Sequence, residues 1–187
     1  MMPEGFAGDQ LNRLLTPLVV VARLAEQQGP DEARTWRHRS FESLILHHAR
    51  AFHRSARGAL DPADQRGQPG RCLADASELS AQAGHAYAQG VALPAGLPIG
   101  VRHAWCITAD GEVLDPAWPT GEAAVYIGVP FTAAFRRRMR PPALLGHHRH
   151  GLALLRDGVP PGALVDIGEP LPPSAQAPAW TATHLPY

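Results

Sequence analysis

Asp110-Gly111 places the tightest constraint on how this chain can fold. The pair stands between two strand-forming runs, 101–109 and 112–118, in the stretch "RHAWCITADGEVLDPAW". An Asp-Gly pair in that setting folds the chain back as an antiparallel hairpin. Successive side chains on a strand point to opposite faces. His103, Trp105 and Ile107 therefore share one face, while Ala104, Cys106 and Thr108 share the other. Unless the strand bulges, Cys106 points away from His103, and the two cannot form a nucleophile and its base. Cys106 reads as a small buried apolar residue.

The same parity tests Asp115. With a two-residue loop, Ala109 pairs with Glu112, and Asp115 faces Cys106 on the wrong side of the sheet. A three-residue loop, 109–111, shifts the register by one. Asp115 then lies opposite Trp105, diagonal to His103 and on its face. Such loops commonly end in a glycine of positive φ. Any partnership of His103 with Asp115 thus demands an odd loop or a bulge at this turn.

Helices are expected before the strands. Leu11, Leu14, Leu15, Leu18, Ala22 and Ala25 recur at helical spacing over 9–27, ahead of Gly29-Pro30. Asp31 can cap a second helix reaching about Arg57, with Trp36, Phe41, Leu44, Ile45, Ala49 and Phe52 as its apolar stations. Residues 58–71 carry the Gly, Pro and Asp of a loop. A short helix is expected from near Cys72 to Gly84. Strands are expected at 86–93, weakened by Gly90, and at 123–129. A helix over 132–139 has Thr132 as its cap, 143–158 forms a broken helix, and the last twenty residues are extended chain. Helices set apart from antiparallel strands make an α+β domain.

Composition narrows the function classes. The 187 residues fit one domain, and Lys+Arg and Asp+Glu both number 17, so no global charge points to nucleic acid. The apolar run 14–22 is too short to span a bilayer. Two cysteines cannot build a disulfide framework. The expectation is a cytoplasmic protein with no nucleic-acid or membrane partner and both thiols reduced.

Cys72 is the better candidate nucleophile. It follows a Gly-Pro-Gly-Arg stretch and opens a helix. A helix N-terminus offers unpaired N–H groups and partial positive charge, which lower a thiol's pKa. Arg71 adds a further positive charge. A thiol nucleophile needs an imidazole to take and return its proton, and the imidazole needs a carboxylate to orient it. His103 and Asp115 are those candidates. Taken singly, each has a structural role as an alternative: a helix-start cysteine, a core histidine, a turn aspartate.

"HAWCITADGEVLDPAW" resembles the second half of the transglutaminase-like core, and "RCLADASEL" is similar to its nucleophile helix. The resemblance covers about residues 66–131, and "YAQGVAL" and "YIGVPF" resemble uncharacterised bacterial members of the group. Leu73 stands where the family commonly has an aromatic residue. The resemblance implies a papain-like α+β fold with N-terminal helices and a nucleophile helix packed on an antiparallel sheet. The chain reads as one domain over 1–170, whose helical part at 1–57 lies outside the match, followed by a Pro-rich tail at 171–187. The resemblance implies a thioester on Cys72, with His103 as general base and then acid, and Asp115 orienting it. The Cys72 N–H and Gln68 would serve the oxyanion, and Trp105, Trp118 and Tyr126 would wall the cleft or belong to the core. The substrate would be a peptide, protein or small amide or acyl compound, with no cofactor. Water or an amine can resolve a thioester, so hydrolysis and transfer both stay open. A leader peptidase of peptide natural-product maturation and a non-catalytic binding module on the same fold are the alternatives.

Two side-chain clusters remain. His147, His148 and His150, and His47 and His48, can bind zinc in principle, but Arg149 interrupts the first set and no Cys or carboxylate stands at ligand spacing. No metal is expected. The Arg136–Arg138 run with Arg140 could recognise an acidic substrate or partner, but such a run is more often a solvated helix face.

Overall fold

The computed structural model describes residues 4–53, 70–94, 96–118, 123–139 and 143–173. Helix α1 spans Glu4–Gln28 and runs through Pro17. Leu14, Leu15, Leu18 and Ala22 form its buried stripe. A 3-10 turn at Asp31–Thr35 leads to α2, Phe41–His48, whose start is fixed by reciprocal hydrogen bonds between Ser40 and Ser43.

The second helix is therefore shorter than its spacing suggests. Residues 50–53 form strand β1, Arg50–His53, instead of continuing it. Ala51 packs in one core and Phe52 in another, on opposite faces of the sheet. A strand buried on both faces loses its polar alternation, and so short a run then matches either period.

Helix α3, Cys72–Ala83, ends at Gly84. Strands β2, Ala86–Pro94, β3, Val101–Ile107, β4, Val113–Leu114, and β5, Ala123–Phe131, follow. Thr132 caps α4, Ala133–Arg138, by accepting from the Phe135 N–H. Helix α5, Arg149–Asp157, and a short strand β6, Glu169–Pro170, complete the described elements. β6 was not foreseen in the sequence.

The strands form one antiparallel sheet in the order β4-β3-β2-β5-β1-β6. One core lies between the sheet and the helices, with Leu14, Phe41, Ile45, Tyr87, Cys106 and Val129 among its members. A second core covers the opposite face around Trp105, Tyr126, Ile107 and Phe52. The architecture is α+β.

Gly90, which weakens the reading of β2 as a strand, has a packing role at its centre. It pairs with His103 on one side and Gly128 on the other. A Cβ on Gly90 would lie 2.0 Å from the Ile127 carbonyl oxygen, and one on Gly128 would lie 2.4 Å from Cη2 of Trp105. Gly128 gives the Trp105 ring room to lie against the sheet, and Gly90 lets β2 and β5 approach closely beside it.

No helix among the described residues is long and apolar enough to cross a membrane.

Candidate active site

The turn at Asp110-Gly111 sets the site. The Gly111 N–H donates to the Thr108 carbonyl at 3.1 Å, and the Thr108 N–H donates to the Glu112 carbonyl at 3.0 Å. Gly111 has φ +85°. Residues 109–111 are thus a three-residue loop ending in a left-handed glycine. Cys106 pairs with Leu114 and Ile107 with Val113. This register carries Asp115 to the level of Trp105, on the His103 face.

His103 Nε2–H donates to Asp115 Oδ2 at 2.8 Å, and both residues are buried. The Tyr126 hydroxyl donates to the same oxygen at 3.0 Å. The Ala117 and Trp118 N–H groups donate to Oδ1 at 3.0 and 3.3 Å. Four donors thus converge on one carboxylate and fix it. Trp118 stacks on the His103 ring, with centroids 3.7 Å apart and planes 8° from parallel. Trp105 and Tyr126 are fully buried. They support the His103–Asp115 pair from behind and present no surface to a cleft.

Cys72 meets His103 across an open edge. Strand β4 pairs with Cys106 and Ile107, and among the described residues no strand pairs with the outer edge of β3 beside His103 and Ala104. The half-buried thiol of Cys72 lies near the His103 side chain there, close enough for the imidazole and the Ala104 and Leu73 N–H groups to act on its charge. With Nε2 taken by Asp115, Nδ1 is the imidazole nitrogen left for Cys72. The first helical hydrogen bond of α3 runs from the Asp75 N–H to the Arg71 carbonyl, and the Arg71 side chain does not cap the helix. The N–H groups ahead of Asp75 have no acceptor within the helix itself.

Electrostatics follow from these contacts. Burial is the largest single effect on Cys72 and disfavours its thiolate. The hydrogen bond and charge of His103 and the two N–H donors together outweigh it and hold the pKa below the ordinary thiol value. Burial likewise disfavours charge on His103, but the hydrogen bonds and charges of Asp115 and Cys72 raise its pKa to about 9. Both shifts favour a thiolate beside an imidazolium. Arg71 is not a source of this effect. Its guanidinium turns back to Asp75 at 3.6 Å and Glu78 at 3.8 Å.

Cys106 is set apart. Its thiol donates to the Ala76 carbonyl at 3.0 Å in the helix-side core, and burial raises its pKa. Gln68 lies outside the described residues.

The other sequence candidates have structural partners. His148 accepts from the Gly151 N–H through Nδ1 and donates from Nε2 to the Ala143 carbonyl, at 3.2 and 2.7 Å. It caps α5. Among the described residues no group of three or more His, Cys, Asp or Glu side chains is arranged to hold a metal ion. Arg136 departs from the solvated reading of its run. It is buried, lies over the Tyr87 ring, and donates to Ser77 Oγ and the Met139 carbonyl. The sequence reasoning missed Tyr126 as a partner of Asp115 and Trp118 as the lid on the imidazole. Both contacts join residues whose proximity depends on tertiary packing.

Compared with family models, with curated proteins and with solved structures, the chain matches none of them.

Proposed function

We propose that the chain is a cysteine-dependent enzyme of papain-like, transglutaminase-like type, which breaks an amide or acyl bond through a thioester on Cys72. The reading rests on one observation. A partly exposed cysteine at a helix N-terminus lies beside a histidine that favours its thiolate, and that histidine is hydrogen-bonded through Nε2 to a buried aspartate. The order nucleophile, base, orienting carboxylate is the one thiol catalysis needs.

In this mechanism the Cys72 thiolate attacks the substrate carbonyl carbon. The carbonyl electrons move to oxygen, and open N–H groups at the start of α3 stabilise that oxyanion. As the tetrahedral intermediate collapses, the carbon–nitrogen bond breaks and the His103 imidazolium gives its proton to the departing amine. A thioester remains on Cys72. Water or a second amine, deprotonated by neutral His103, then attacks the thioester, and the thiolate leaves. Asp115 holds the imidazole through both proton transfers, and Trp118 keeps its ring in plane.

Intact-mass spectrometry of the protein exposed to small amides, esters and peptides should find a thioester adduct on Cys72. Cys72→Ala should remove both adduct and turnover while the far-UV dichroism stays that of the parent protein. A turnover rate retained by Cys72→Ala would overturn the mechanism.

A further inference from the structure

A cavity of about 240 Å³ opens beside the Cys72–His103 pair, with Leu73 and His103 in its lining. Its remaining walls are shared between the two N-terminal helices, which lie outside the resemblance to the transglutaminase-like core, strands β2 and β3, and residues 143–146. Leu18 of α1 and Phe41 and Ile45 of α2 face Val91 of β2 and Leu145. The polar groups around it are already occupied. Gln89 accepts from the Leu144 and Leu145 N–H groups and donates to the Leu145 carbonyl. That triple contact fixes the Leu145 wall. Glu42 and Arg102 pair with each other at 3.1 Å. A charged group entering this cavity would shed its water and find no free counter-charge. An apolar group would shed water and gain contacts. The volume is below the ~300–1,000 Å³ of pockets that enclose whole drug-sized ligands, and suits a single side chain.

We propose that this cavity is the specificity pocket of the enzyme. It receives one uncharged, apolar side chain, branched aliphatic or aromatic, of a peptide-like acyl donor held at Cys72. Leu18, Phe41 and Ile45 of the two N-terminal helices then share in selecting the substrate with Val91 and Leu145. The second cavity, of about 300 Å³, is lined by His47, His48, Arg50 and Asp166 and does not include either residue of the pair. This proposal rests on the reading of Cys72 as the nucleophile, and the experiment separates the two.

Iodoacetamide, too small to need the pocket, first measures the reactivity of Cys72 against Cys106 in the intact protein. Dipeptidyl chloromethyl ketones then carry leucine, phenylalanine, aspartate or lysine in either position, with glycine in the other. The rate of each with Cys72 is followed by intact mass and divided by the iodoacetamide rate of the same protein. In one of the two series the leucyl and phenylalanyl ketones should react at least about tenfold faster than the aspartyl and lysyl ones, the discrimination that one apolar side chain in a fitted pocket supplies. Filling the pocket with Ile45→Trp should erase that preference. Leu18→Phe narrows it from the facing helix and serves if the first variant does not fold. Selective iodoacetamide labelling of Cys72 with equal rates for all four side chains in both series would overturn the pocket and leave the nucleophile standing. A preference that survives both fillings would do the same. Equal, slow labelling of Cys72 and Cys106 would overturn the reading of Cys72 itself, and the pocket's role with it.

Discussion

Asp115 carries more of the site than its single charge suggests. His103, Tyr126 and two backbone N–H groups all donate to it inside the protein. Removing the charge alone is therefore the informative change. Asp115→Asn keeps the shape, but it withdraws the carboxylate whose hydrogen bond and charge help raise the pKa of His103. We expect turnover to fall by about 10²–10⁴-fold, as for other orienting carboxylates, with a smaller loss of stability. Tyr126→Phe removes one donor and should cost about 1 kcal/mol in urea unfolding, leaving the triad otherwise assembled. The pH profile follows from the two shifts. The raised value of His103 means its charged form is fully populated in the folded protein at neutral pH and is lost as pH rises through about 9. The lowered value of Cys72 means its thiolate is lost only as pH falls through that depressed value. Turnover should hold a plateau across neutral pH and decline on the alkaline side near 9. In Asp115→Asn the alkaline limb should move to lower pH. A limb that stays in place would show that Asp115 does not set the His103 proton.

The hairpin of β3 and β4 converts one backbone angle into a functional register. Gly111 has φ +85°, and a Cβ there would meet Ile167 only at an ordinary 3.5 Å. The cost of Gly111→Ala is then conformational, about 1–2 kcal/mol in unfolding free energy. Gly111→Asn should cost less, since asparagine tolerates the left-handed region. Deleting one residue from 109–111 should be worse for activity than for folding. It forces the two-residue register and moves Asp115 to the Cys106 face. This element was legible in the sequence as a condition. Parity alone said which loop length would let Asp115 reach His103, and the turn has that length. Helix α3 was legible too, because Cys72 follows a turn-rich stretch and Gly84 stops the helix. Strand β1 was not. Its two central side chains, Ala51 and Phe52, are buried on opposite faces, so the hydrophobic period that separates strand from helix is absent over 50–53. The pocket was not legible either. Leu18, Ile45, Leu73, Val91 and Leu145 are apolar positions like any others until packing gathers them.

At the scale of the whole molecule, the helical layer and the sheet are joined near a cluster of three imidazoles. His47 and His48 end α2, and His38 precedes it. The backbone N–H of His38 donates to the Leu155 carbonyl of α5. The three ring centroids lie 4.6 to 5.4 Å apart. His38 is 6% exposed, and its Nε2 has no hydrogen-bond partner among the described residues. Burial first, then the neighbouring imidazoles and Arg37, lower the pKa of His38 to about 4, and burial, His47 and Arg37 do the same for His48. The unfolded chain takes up protons at these positions as pH falls below 6.5, while the folded chain does not until about 4. Protons bound only by the unfolded state lower stability as pH falls through that window. Cys72 also gains a proton on acidification, so the clean experiment uses Cys72→Ala, in which the hydrogen bond and charge of Asp115 still favour the charged form of His103. In that protein the urea midpoint should decline steadily between pH 6.5 and 4. His48→Gln removes one of the two suppressed titrations and should flatten the decline by about half, the share one of two equal protons contributes. An unchanged slope in His48→Gln would mean that the acid sensitivity lies elsewhere. Such a slope would also separate two pH responses of one molecule. On the proposed mechanism the site should lose activity as His103 gives up its proton on the alkaline side, and the scaffold should lose stability on the acid side as its buried histidines are forced to accept one.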